Sequence, residues 1–177
     1  MTRVVDVLNA DWPGKPPGLR FRDELEDDRD VAMALYRSVR EPELALTDWD
    51  ESMRRAFVAQ QFDAQAAQYR QHYPGAEFLL LQFGDSVIGR LYVHLTQAEL
   101  RLMEVTLLPS ERGKGLGTSL TNALLAIADQ QQLPVTLHVE PFNPAYRLYQ
   151  RLGFAKLREH NYYHFLQHLP TCAEPSV

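Results

Sequence analysis

The stretch Leu107-Leu108-Pro109-Ser110-Glu111-Arg112-Gly113-Lys114-Gly115-Leu116-Gly117-Thr118 sets three glycines and two cations where an apolar strand gives way to a helix. The first turn of a helix leaves backbone N–H groups without partners, and the helix dipole adds partial positive charge at the same end. Such a turn binds phosphate. Glycines at 113, 115 and 117 remove side chains that would hold a pyrophosphate away, while Arg112 and Lys114 add charge. A phosphate-bearing cofactor is the expectation.

Spacing narrows the choice. A nucleotide P-loop would follow Lys114 with Ser or Thr, whereas Gly115 stands there; a dinucleotide fingerprint would place its third glycine one residue later than Gly117. The pattern Arg112-x-x-Gly115-x-Gly117 instead resembles the acetyl-coenzyme A loop of the GNAT superfamily of N-acetyltransferases. A second segment follows in that family's order: the strand Leu137-His138-Val139-Glu140, then Asn143-Pro144-Ala145, Leu148-Tyr149 and Leu152-Gly153-Phe154. The resemblance implies that Leu107, Leu108, Arg112, Gly113, Lys114, Gly115, Leu116, Gly117, Thr118 and Asn143 hold acetyl-coenzyme A. It implies transfer of an acetyl group to a primary amine by direct attack in a ternary complex.

Amide formation from a thioester needs three things: an amine stripped of its proton, a polarised carbonyl and a proton for the departing thiolate. An amine of pKa ~10 is protonated at neutral pH, so a base is useful, and a histidine near ~6.5 or a carboxylate working through water suits. Strand alternation sets Thr136, His138 and Glu140 on one face and Val135, Leu137 and Val139 on the other. His138 is the first candidate base; in the resembled family a catalytic His or Glu stands five residues before the Asn, which is this position. Glu104, in the strand entering the glycine loop, is the rival. Both also read as ordinary strand residues. Tyr149 is the candidate acid, because a phenol near pKa ~10 keeps its proton at neutral pH, and the family uses the Tyr of this segment so. It reads equally as an aromatic on the buried helix face. Asn143 reads as a helix cap as well as a cofactor contact, and Leu107-Leu108 break alternation before Pro109, suggesting a bulge there.

Composition excludes other chemistries. The chain has 177 residues and is 45% hydrophobic, enough for one core and too little for two ordinary domains. Its lone cysteine, Cys172, can form no internal disulfide and lies in a Pro- and Ser-containing tail. The histidines show no zinc-site spacing, so no metal is expected. A net charge of −5 argues against nucleic acid and leans toward a cationic acceptor, a small amine or a peptide amine. No apolar run approaches a bilayer span and the start lacks a secretory core, so a soluble, cytoplasmic protein, monomer or homodimer, is expected.

The elements that must position these residues follow from pattern. Residues 1–17 read as an N-terminal arm with a β-prone run from Val4 to Leu8, 18–169 as the acetyltransferase domain and 170–177 as a flexible tail. Leu19 to Arg22 reads as a strand. Asp27 and Asp28 cap a helix bearing Val31, Leu35 and Val39, ended by Pro42. Asp48 with Glu51 opens a longer helix, with Trp49, Met53, Phe57, Ala66 and Tyr69 for burial, the glutamines at 60, 61, 65, 68 and 71 in solvent, and a stop at Pro74-Gly75. Strands follow at 78–83, 87–95 and 100–108, then a helix carrying Leu116, Leu120, Leu124 and Ile127, a parallel strand at 135–140, a short helix at 144–152 and a hairpin of 154–159 with 162–169. The fold class is α/β: a mixed, mostly antiparallel sheet of six to seven strands with about four helices. In the resembled family the sheet splays after its fourth and fifth strands, where coenzyme A enters. Its acceptor site lies between the first helix pair and the last hairpin, here Val39 to Tyr69 and His160 to His164. Asn161-Tyr162-Tyr163 is similar to a run in ribosomal-protein amino-terminal acetyltransferases, although this hairpin is shorter. A non-catalytic coenzyme A sensor is the alternative reading.

Overall fold

In the computed structural model, which describes residues 2–171, the apolar runs between Glu77 and Leu107 form an antiparallel meander of β2 (Glu77–Phe83), β3 (Ser86–Leu95) and β4 (Leu100–Leu107). Strand β1 (Leu19–Asp23) pairs with β2, β5 (Val135–Val139) joins β4 in parallel, and β6 (Ala155–His160) and β7 (Tyr163–His168) form a hairpin. The sheet order is β1-β2-β3-β4-β5-β7-β6. Five α-helices accompany it among the described residues: α1 (Val4–Asn9), α2 (Arg29–Leu44), α3 (Glu51–His72), α4 (Leu116–Gln130) and α5 (Ala145–Arg151). This is the expected α/β class with one helix more.

Alternation along the strands divides their side chains between two faces. Leu79, Leu81, Leu91, Val93, Leu102 and Leu137 pack with α1 and α4 in the larger core, while Ala32 and Tyr36 of α2 meet Val58 and Phe62 of α3 on the opposite face. Each fully buried Leu stabilises the fold by about 2 kcal/mol. On that second face α2 lies over β3 and β4, and His138 on β5 stays exposed.

Several local expectations change. Residues Val4 to Leu8 form a helix rather than a strand: Val4, Val5 and Leu8 share one helical face and are buried, and the Glu77 carboxylate accepts from the N–H of Val4 (2.7 Å) and Val5 (2.9 Å). At the end of α1, Asn9 Nδ2 donates to the Phe21 carbonyl (2.8 Å) and its Oδ1 accepts from the Phe21 N–H (2.9 Å). That amide occupies the outer edge of β1, where another strand would otherwise pair. Pro42 does not end α2. Near the last turn it removes one backbone donor, and the N–H of Ala45 still reaches the Glu41 carbonyl at 2.9 Å. Asp50, not Asp48, caps α3, accepting from Met53 N–H at 2.8 Å. Val39 and Met53 are exposed, because Ala32, Leu35 and Tyr36 and then Val58 and Phe62 form the inward stripes. Thr171 is tied to Asp129 by two hydrogen bonds, of 3.0 and 2.9 Å; Cys172 and the rest of the expected tail lie outside the described residues. No described helix is long and apolar enough to cross a membrane.

Candidate active site

The glycine loop runs from a single 3-10 turn, Pro109–Glu111, into α4. Gly113 (φ +73°) and Gly115 (φ +86°) adopt the left-handed conformation that side chains disfavour, and a Cβ built on either meets nothing within 4 Å. Backbone geometry demands glycine here, and the space before the loop is open. Gly115 caps α4, so the N–H groups of Leu116, Gly117 and Thr118 face that space without helical partners. Arg112 braces the loop: its Nε donates to the Leu107 carbonyl (2.9 Å) and its guanidinium to Ser38 Oγ of α2 (3.2 Å). Lys114 is exposed and pairs with Glu111 at 3.3 Å.

Strand β4 is irregular, at a different place from the expected one. Tyr92 opposes Glu104 and Val93 opposes Leu102, so Met103 is the extra residue of a bulge, while the Leu108 N–H bonds regularly to the Ile88 carbonyl at 2.8 Å. The extra residue turns Glu104 and Thr106 onto the face of Tyr92 and Arg90, away from Leu102. Pairing between β4 and β5 ends at Leu102 and Leu137. Beyond that point β5 pairs only with β7, and the backbone groups of β4 from Met103 onward have no strand on that side. The sheet is split there, as the resemblance implies.

Glu104 stands at the split. Its Oε1 accepts from Thr106 Oγ1 (2.7 Å) and lies 3.2 Å from the guanidinium of Arg90. Arg90 is fully buried; it also donates to Gln65 Oε1 and to the Tyr92 hydroxyl, each at 3.2 Å, and Tyr92 donates in turn to Glu24. The rings of Tyr92, Tyr36 and Phe62 lie 4.9, 5.5 and 5.7 Å from the guanidinium carbon. Burial opposes the Arg90 charge, yet Glu104, Tyr92 and Glu24 outweigh it and raise its pKa. Gln65, read from sequence as a solvated residue, is therefore turned inward. Sequence reasoning missed this network, although its signal is present: Arg90 interrupts the run Val87-Ile88-Gly89-Arg90-Leu91-Tyr92-Val93, and a charge in a buried strand needs a partner.

His138 is exposed at the far side of the split, with its ring 4.9 Å from that of Phe165. Desolvation lowers its pKa below the ordinary 6.5, and the charges of Arg101, Arg158 and His160 add to the effect, so the imidazole is neutral at pH 7. Val135, Leu137 and Val139 point into the large core, as alternation requires.

Tyr149 arrives from the other face. It is buried on α5 in the large core, its ring 5.5 Å from that of Phe154. Burial and then the Glu104 carboxylate push its phenol well above the ordinary 10. Tyr149 and Glu104 thus lie on opposite faces of the sheet. The same carboxylate, after burial, raises Tyr69 of α3, whose hydroxyl reaches the Met103 carbonyl at 3.4 Å. Asn143 orients α5: its Oδ1 accepts from Ala145 N–H (2.9 Å), and its carbonyl from Tyr146 N–H (2.9 Å). Gly153, at φ +89°, closes that helix.

A helix N-terminus with an open glycine loop, beside a split sheet that gathers a carboxylate, a neutral imidazole and a buried phenol, is the geometry on which the comparisons bear. Residues 43–154, more than half of the chain, match the family model "Acetyltransferase (GNAT) family". The chain belongs to the GNAT acetyltransferase family. Solved structures agree in fold. One is similar over 85% of this chain and 98% of its own, at 16% identity and TM-score 0.63: the PaiA N-acetyltransferase of Thermoplasma acidophilum in complex with coenzyme A. Another is the ribosomal-protein-S18-alanine N-acetyltransferase of Escherichia coli, with 15% identity over 90% of this chain and 98% of its own, at TM-score 0.62.

As a GNAT member the chain is an acetyl-coenzyme A-dependent N-acetyltransferase. Its own residues fit that cosubstrate. The left-handed glycines keep the loop free of side chains, α4 presents unpaired N–H groups for phosphate, and the open edge of β4 offers backbone groups for an amide-bearing arm.

Proposed function

We propose that the amine acceptor binds at the split between β4 and β5 and is acetylated there by direct attack, with Glu104, His138 and Tyr149 in distinct roles. Acetyl-coenzyme A, when bound, supplies the reactive thioester; the Arg112–Thr118 loop with Asn143, Leu107 and Leu108 holds it. The observation carrying this reading is that the pairing of β4 with β5 ends at Leu102 and Leu137, one residue before His138 on β5 and shortly before Glu104 on β4. A carboxylate and an imidazole thereby flank one opening.

The hydrogen bond from Thr106 and the Arg90 ion pair of Glu104 both fall on Oε1, which leaves Oε2 to attract the acceptor's ammonium. His138, kept neutral, takes the proton directly or through water. Tyr149 keeps its proton at working pH and donates it as charge develops on the departing sulfur; burial makes this phenol a weaker acid than an ordinary one, so the transfer requires the sulfur at hydrogen-bond distance. Tyr69, whose hydroxyl reaches the Met103 carbonyl, and Tyr163 of the hairpin flank the acceptor. A primary amine fits this opening, and we place the reaction in the cytoplasm, where acetyl-coenzyme A is abundant.

The test is thiol release from acetyl-coenzyme A over a panel of amines, amino acids, polyamines and short peptides, in wild type and Tyr149→Phe. Turnover on a defined acceptor that falls about 100-fold in kcat on this substitution supports the assignment. Unchanged kcat in Tyr149→Phe removes the acid role, and coenzyme A binding without thiol release across the panel would favour the sensor reading.

A further inference from the structure

The register of the sheet lines up one transverse row of side chains across the split. From the hairpin inward run Arg158 on β6, Phe165 on β7 and His138 on β5, each directly opposite the next. Across the opening the row resumes with Glu104 on β4, Tyr92 on β3 and Phe78 on β2. One bank therefore carries a carboxylate and the other a cation. Arg158 lies over the Phe165 ring at 4.7 Å, folded back toward His138, and Arg101 approaches the same ring at 5.5 Å. The two arginines differ in what neutralises them. Arg101 is bound to Glu99 at 2.8 Å, whereas Arg158 has no carboxylate within 4 Å among the described residues. A guanidinium stacked on an aromatic ring is held in place with its N–H edge free, the arrangement suited to a carboxylate or phosphate.

Resting on the acetyl-transfer reading above, we infer that the acceptor is a small amine that also carries an anionic group, its ammonium drawn to Glu104 and its anion bound by Arg158 over Phe165. Neighbouring strands lie about 4.8 Å apart, so a guanidinium folded back over β7 sits roughly one to two strand spacings from the split. That separation suits an anion a few bonds from the nitrogen. The net charge of the chain leans toward a cationic acceptor, but the local pattern differs: a negative and a positive bank face each other across the reacting position, and a zwitterion complements both.

The experiment compares glycine, β-alanine, 4-aminobutanoate and phosphoethanolamine with their uncharged counterparts, glycinamide, β-alaninamide, 4-aminobutanamide and ethanolamine, in the thiol-release assay. Wild type prefers the anionic member of at least one pair by about tenfold or more in kcat/KM. The carboxylate and phosphate arms identify which anion is meant. In Arg158→Gln the ratio collapses toward one, mainly through KM, and Arg158→Lys restores part of it. A second arm needs no chemistry: calorimetric binding of the N-acetyl derivative of each anionic acceptor and of its uncharged counterpart, for example N-acetyl-β-alanine and N-acetyl-β-alaninamide, in the presence of coenzyme A. If no acceptor releases thiol yet the acid products bind at least tenfold more tightly than the neutral ones in an Arg158-dependent way, acetyl transfer fails and the anion site stands. Equal handling of acid and neutral partners by wild type in both arms, or a preference indifferent to Arg158→Gln, overturns the inference.

Discussion

The fully buried guanidinium of Arg90 lies 3.2 Å from Oε1 of Glu104, the residue that follows the bulge in β4. The pair joins fold and site. Arg90 needs a carboxylate because its own surroundings are the rings of Tyr36, Phe62 and Tyr92, and Glu104 is oriented at the split by answering that need. Removing one partner of a buried pair leaves the other charge uncompensated, and Glu104, being partly exposed, places the cost of Glu104→Gln at about 2–4 kcal/mol. Glu104→Gln is expected to lower both denaturation midpoint and turnover. Combining it with Arg90→Met should recover stability and leave turnover low. A double variant as active as wild type would show that Glu104 serves only the fold.

Two glycines separate packing from binding. A Cβ on Gly89 would lie 2.6 Å from the Thr106 carbonyl oxygen, so Gly89→Ala must push β3 from β4 and should destabilise by about 1–3 kcal/mol. Gly115→Ala meets no atom within 4 Å and pays for its left-handed backbone alone, about 1–2 kcal/mol. Calorimetric titration with coenzyme A should nevertheless show the larger loss of affinity in Gly115→Ala, whose new methyl group stands in the loop. Equal affinities would place the phosphates elsewhere.

The role of His138 is legible in a pH profile. Its pKa is depressed by partial desolvation of the ring and by Arg101, Arg158 and His160, and the neutral ring is the proton acceptor. Activity should therefore fall as pH drops through a midpoint below 6.5, the ordinary histidine value. In His138→Gln that acid limb should vanish along with most of kcat/KM. A limb that survives the substitution assigns the titration to another group and the proton to water.

At the sheet's outer edge, Asn9→Ala removes both hydrogen bonds to the Phe21 backbone. Their loss should cost about 1–3 kcal/mol and expose the edge of β1 to other chains. Chemical denaturation measures the first effect and sedimentation over a range of concentrations the second. A variant as stable and as monodisperse as wild type would show that the amide is dispensable.

The sequence by itself determined what depends on near neighbours. The helix start at Gly115, the Asn143 cap before α5, the stop at Gly153 and the alternation that sends Leu137 inward and His138 outward are set within a few residues, so pattern and conformational preference suffice. The order of helices and strands around the glycine loop and Asn143, and with it the α/β class, was legible for the same reason. Tertiary structure alone decided the rest, since the deciding partners are remote in the chain. The helical form of Val4 to Asn9 depends on a carboxylate from Glu77, and the inward turn of Gln65 depends on Arg90. The bulge at Met103 inverts the faces that strict alternation would assign to the rest of β4, and only the register with β3 reveals it. That single inserted residue brings Glu104 to the split, because a side chain's face is fixed by the pairing of its strand and not by its own identity.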